Sequence, residues 1–174
     1  MPNTQYISRI VRELVKKHGT RDPFELCDAL SVNVSYKELG TRIKAYFFYQ
    51  SRIRTVVLNS GADKNIHKTL CAHELGHAML HSDMLAAMRG FAELELFDRA
   101  SRTEYEANLF AAELLIPDGE LLELIEGEGR SLFDAAAMLC VPAELIDFKL
   151  RMLKGKGYML DLPYLAQSDF LKNI

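Results

Sequence analysis

The sequence predicts an α+β fold in a single domain, and three observations point there. Helix-period apolar patterns occupy both ends of the chain, while β-branched and aromatic runs cluster between residues 32 and 58. A length of 174 residues suits one hydrophobic core. Hydrophobic residues make up 49% and charged residues 26%, the usage of a globular protein rather than a disordered one. The longest apolar run, Ala135 to Ala143, is nine residues, against the roughly 20 needed to span a bilayer. The start, MPNTQYISRIVREL, has no apolar leader. Cys27, Cys71 and Cys140 lack CxxC spacing and read as reduced thiols of a cytoplasmic protein.

Taken in order, Thr4 to His18 is an amphipathic helix, with Ile7, Ile10, Val11, Leu14 and Val15 at helical spacing and Gly19 as its stop. Asp22 caps a short helix that has Pro23 in its first turn. Val32–Tyr36, Ile43–Tyr49 and Ile53–Leu58 are strands. The short break around Ser51 suits a hairpin, so a small antiparallel sheet is expected. Asp63 starts a helix carrying His73, His77 and His81, and residues 81–99 read as a loop with a helical turn. Ser101–Arg102–Thr103–Glu104 has the capping-box pattern and opens a helix ending before Pro117. Helices follow at Asp118–Glu126, Ser131–Leu139 and Pro142–Lys154, with a Gly127/Gly129 break and a tail containing Pro163. The single domain then divides into residues 1–60 (helices and sheet), 61–116 (site helices) and 117–174 (a helical segment).

The chemistry lies at His73–Glu74–Leu75–Gly76–His77, an H-E-x-x-H pattern. On a helix, residues i and i+4 share a face, so two imidazoles can converge on one zinc ion, with Glu74 beside them as general base. Ile66, Leu70, His73 and His77 continue one stripe, which turns both imidazoles inward. Gly76 in mid-helix costs about 1 kcal/mol relative to Ala, and implies close approach by another element. The H-E-x-x-H-x-x-G-x-x-H pattern is excluded, because positions 80 and 83 are Leu and Asp. The third ligand is sought on the helix Glu104–Ile116, whose apolar circumference predicts burial. Glu106 is preferred there, because Glu104 can serve as the capping acid of Ser101, although Thr103–x–x–Glu106 fits a capping box as well. Glu104 and His81 remain alternatives, and Glu113 reads as an ordinary salt-bridging acid.

His73–Glu74–Leu75–Gly76–His77–Ala78–Met79–Leu80–His81, followed by Glu106–Ala107–Asn108–x–Phe110–Ala111–x–x–Leu114–Leu115–Ile116–Pro117, resembles the ImmA/IrrE family of metallopeptidases. The resemblance covers roughly residues 5–155. It implies a zincin-like core, zinc held at His73, His77 and Glu106, and Glu74 as catalytic base. It also implies a substrate class: helix-turn-helix repressors of mobile elements or stress regulons, cut in limited fashion. Eleven acids against three arginines between Arg89 and Glu128 give that segment a charge of −8, which would favour encounter with a basic repressor.

Two other readings compete. Residues 131–154 resemble a helix-turn-helix whose second helix ends in basic residues, which would suit a metal-stabilised DNA-binding regulator. A net charge of −3 and basic residues at the helix end, rather than at its reading positions, disfavour DNA binding. A non-catalytic interaction module is the other, and the retained Glu74 speaks against it. Oligomeric state is not read from the sequence.

Overall fold

The computed structural model describes residues 4–82, 96–126 and 131–160, and for residues 96–101 and 126 the backbone alone. Helix α1 (Thr4–His18) buries Ile7, Val11 and Leu14 along one stripe, and ends at Gly19 with φ +72°, a conformation L-residues resist. Helix α2 (Pro23–Ala29) starts where Asp22 accepts the backbone N–H of Phe24 at 2.9 Å. Both helices follow the sequence reading.

Strands β1 (Val32–Lys37), β2 (Ala45–Gln50) and β3 (Ile53–Asn59) form a sheet of order β1-β3-β2. The β2–β3 hairpin turns at Ser51 and Arg52, with φ of 52° and 65°, and Gln50 pairs with Ile53. Positive φ at both central residues suits the strand twist even without glycine or asparagine. Strand β1 lies parallel to β3, so the sheet is mixed where an antiparallel one was expected. Residues 38–44 carry the chain past β3 to the far edge before it returns through the hairpin. Strand β3 is therefore central, and Val56, Val57 and Leu58 are all buried. The side chain of Asn59 pins the crossover by donating to the carbonyls of Gly40 (2.7 Å) and Ile43 (2.8 Å).

A 3₁₀ turn (Lys64–Ile66), capped by Asp63, leads into α3 (His67–Leu80). Helices α4 (Leu96–Leu115), α5 (Asp118–Glu126), α6 (Leu132–Met138) and α7 (Ala143–Gly155) complete the described elements. Helices α3 and α4 pack very closely. A Cβ at residue 76 would lie 3.1 Å from Ala107 Cα and 3.2 Å from Phe110 Cβ, so the glycine is what admits α4. Helix α4 begins five residues before Ser101, so the expected capping box there does not form. Ser131 does make one, reciprocally with Asp134. The expected loop at 81–99 falls from residue 83 to 95 outside the described residues, as do the Gly127/Gly129 break and the tail.

Helix α7 is an interior element. Leu145, Ile146, Asp147, Phe148, Lys149 and Leu150 are all buried, so the positions a recognition helix would present to a groove face the core instead. Lys149 and Lys156, part of the basic helix end noted in the sequence, turn inward to Glu113. Cys27 and Cys71 are free, buried thiols with sulfurs 3.8 Å apart, and Cys140 is free and exposed. No helix among the described residues is long and apolar enough to cross a membrane.

Candidate metal centre

His73 and His77 stand one turn apart on α3, with their Nε2 atoms 3.2 Å from each other. Helix α4 brings Glu104 against them, with one carboxylate oxygen 3.4 Å from His73 Nε2 and the other 3.4 Å from His77 Nε2. Among the described residues these three form the group whose donor atoms all lie within 4.8 Å of one another. A tetrahedral zinc ion with ligands at 2.0–2.1 Å separates neighbouring donor atoms by about 3.3 Å. The spacing fits one face of that tetrahedron.

The outer ring nitrogens strengthen the fit. His73 Nδ1 lies 2.8 Å from Asn108 Oδ1 and donates to it, so the neutral ring keeps its lone pair on Nε2. His77 Nδ1 lies 3.2 Å from His81 Nδ1, and His81 Nε2 lies 3.0 Å from Glu106 Oε2. Two imidazole lone pairs and a carboxylate thus converge, which demands positive charge between them, as a proton on an imidazole or as a metal ion. Burial alone would raise the Glu104 carboxyl, but the His73 and His77 rings beside it overcome that and hold the group well below the usual carboxylate range.

Glu74 projects beside the cluster without joining it. Burial raises its carboxyl from the ordinary 4.5 to about 7, and Glu104 adds to the rise, while His77 and the backbone N–H of Phe47 oppose it. The cleft in front measures about 520 Å³ and is lined by Ile43, Tyr46, Phe47, His73, Glu74 and His77, among others. Strand β2, whose Tyr46 and Phe47 line this cleft, is an edge strand among the described residues.

The converging carboxylate is that of Glu104, where the sequence pointed to Glu106. Two residues along a helix is about 200° around its axis, so the two glutamates cannot serve the same point. Glu106 instead pairs with His81 and accepts Arg102 Nε at 3.0 Å. The capping role open to Glu104 in the sequence is not used, because α4 starts at Leu96. His81 packs behind His77, with both ring nitrogens engaged. Asn108 is the partner that sequence reasoning gave no role, and its place one turn after Glu104 was the available signal. Glu113 is the expected salt-bridging acid, bound by Lys149 at 2.6 Å and Lys156 at 2.5 Å.

Comparison with known proteins gives three similarities. Residues 27–151 match the model of a peptidase family described as the IrrE N-terminal-like domain. The chain is 36% identical over 143 residues to "uncharacterized immunity region protein 2" of Bacillus phage phi105, covering 82% of this chain and 88% of that protein. It is also 27% identical over 148 residues to metallopeptidase ImmA of Bacillus subtilis (strain 168), covering 84% of this chain and 85% of that protein.

Proposed function

This chain belongs to the IrrE N-terminal-like family and is a metallo-endopeptidase, and we propose that it is a cytoplasmic zinc enzyme making limited cuts in a helix-turn-helix repressor. The observation that carries the zinc assignment is the convergence of His73, His77 and Glu104 at tetrahedral spacing, with Glu74 beside them. Two imidazoles, one carboxylate and one open position are the donor set of a catalytic zinc site. When bound, zinc would supply Lewis acidity, polarising the scissile carbonyl and acidifying a water.

The chain's own groups do the rest. Glu74, at about 7 in the metal-free site, is poised to take a proton from the attacking water near neutral pH and to return it to the leaving amine. Burial keeps that carboxylate out of bulk solvent. The edge of β2 lines the same cleft and suits an extended peptide adding as a further strand. The repressor as substrate is supported by the names of the relatives, one an immunity region protein and the other ImmA, and by the family resemblance of the two motifs.

The test is incubation of the purified protein with a purified helix-turn-helix repressor, and with casein, each with and without chelator. Cleavage of the repressor at one or a few bonds is expected, stopped by chelator and by Glu74→Gln, with casein intact. Casein hydrolysis alongside an untouched repressor would reject the regulatory reading, and cleavage indifferent to chelator would reject the metal.

A further inference from the structure

Resting on that zinc reading, we propose that His81 and Glu106 form a positioning relay behind His77, fixing which ring nitrogen His77 offers to the metal. The hydrogen-bond inventory dictates each link. A carboxylate only accepts, so the 3.0 Å contact between Glu106 Oε2 and His81 Nε2 places a proton on that nitrogen. A neutral His81 then carries its lone pair on Nδ1. Across 3.2 Å that lone pair meets His77 Nδ1, which must therefore be the donor. His77 is left with its lone pair on Nε2, the atom facing His73 and Glu104.

The relay is itself anchored. His81 is buried at 6% exposure, and its backbone N–H donates to the carbonyl of His77 at 3.0 Å, which fixes the residue at the end of α3. Arg102, one turn before Glu106 on α4, donates from Nε to its other oxygen at 3.0 Å. With both ring nitrogens engaged, His81 is not a ligand. Asn108 does for His73 in one step what His81 and Glu106 do for His77 in two. Helix α4 thus supplies one ligand, the Asn108 behind His73 and the Glu106 that ends the relay behind His77.

Partners of this kind typically contribute 10–100-fold in metal affinity. The experiment measures zinc affinity by competition with a chromophoric chelator for wild type, His81→Ala, Glu106→Ala, Glu106→Gln and, as control, His73→Ala. Urea unfolding of each metal-free variant and the ¹⁵N tautomer pattern of His77 are recorded in parallel. Both relay alanine variants are expected to bind zinc 10–100-fold more weakly, with a mixed His77 tautomer. Glu106→Gln, which keeps an acceptor, should restore most of the affinity and a single tautomer, at unchanged metal-free stability. Relay variants with wild-type affinity and a single His77 tautomer, beside a His73→Ala control that loses zinc, would overturn the relay alone. Wild-type binding by His73→Ala would overturn the zinc reading beneath it.

Discussion

Helix α4 carries two glutamates on opposite terms, Glu104 in its first half and Glu113 near its end. Glu113 is 6% exposed, and the chain supplies its counter-charge, from Lys149 (1% exposed) at 2.6 Å and from Lys156 at 2.5 Å. Asp118 shares the same two lysines, so the cluster is neutral and complete. Glu104 meets two imidazoles whose outer nitrogens face Asn108 and His81. Among the described residues, its ion pairs are to these two imidazoles, with no lysine or arginine. A carboxylate held among lysines has its counter-charge within the chain, whereas on the proposed reading one held among histidines takes it from a metal ion.

Removing Glu113 should break that comparison most severely. Glu113→Ala leaves the Lys149 ammonium buried with only Asp118 beside it, and losing one partner of a buried pair costs about 3–5 kcal/mol. The lower end is expected because Asp118 remains. Urea unfolding should show that loss while zinc content stays at wild type. Glu113→Leu with Lys149→Met should recover much of it, since a buried pair exchanges well for apolar residues.

Glu74 sharpens the contrast as a third carboxylate, buried with neither lysine nor ligand role. Its folded value of about 7 lies above the ordinary 4.5, so its contribution to stability is fully present below about 4.5 and is lost as pH rises through 7. Metal-free protein should therefore lose up to about 3 kcal/mol from this group between pH 5 and 8.5. Glu74→Gln should flatten that slope in urea unfolding. Glu113 and Asp118 behave oppositely: burial would raise both, but Lys149 and Lys156 hold them low. Their contribution is present above the ordinary carboxylate range and is lost on acidification. A wild-type profile without the alkaline loss would contradict a Glu74 carboxyl raised by burial.

The smallest effect concerns the packing that brings Glu104 to the histidines. Gly76→Ala forces a Cβ to 3.1 Å from the Ala107 backbone, an overpacking worth about 1–3 kcal/mol. Zinc affinity should fall with it, because α4 must retreat from α3. Gly119→Ala, with nothing within 4 Å of the new Cβ, should leave affinity unchanged.

Local signals were legible in the sequence because their physics is local. The stripe Ile7, Val11 and Leu14, the Asp22–Pro23 start of α2 and the i, i+4 histidines each act within a turn or two. Gly76 also announced its close neighbour, although not that the neighbour was Ala107. Non-local choices were hidden. Strand β1 runs parallel to β3 because the chain crosses to the far edge first, and no pattern within β1 encodes that. The choice between Glu104 and Glu106 depended on where α4 begins and how it is rotated against α3. A capping-box pattern at Ser101 concealed both, since the helix simply runs through it. The basic end of α7 misled for a similar reason, as Lys149 and Lys156 serve Glu113 rather than a partner.

Zinc titration of Glu104→Ala and Glu106→Ala beside wild type, read by elemental analysis after dialysis against excess zinc, tests the assignment of the site most directly. The account predicts about one zinc per chain in wild type and in Glu106→Ala, where all three ligands survive, and essentially none in Glu104→Ala. Stoichiometric zinc in Glu104→Ala, with its loss in Glu106→Ala, would contradict it.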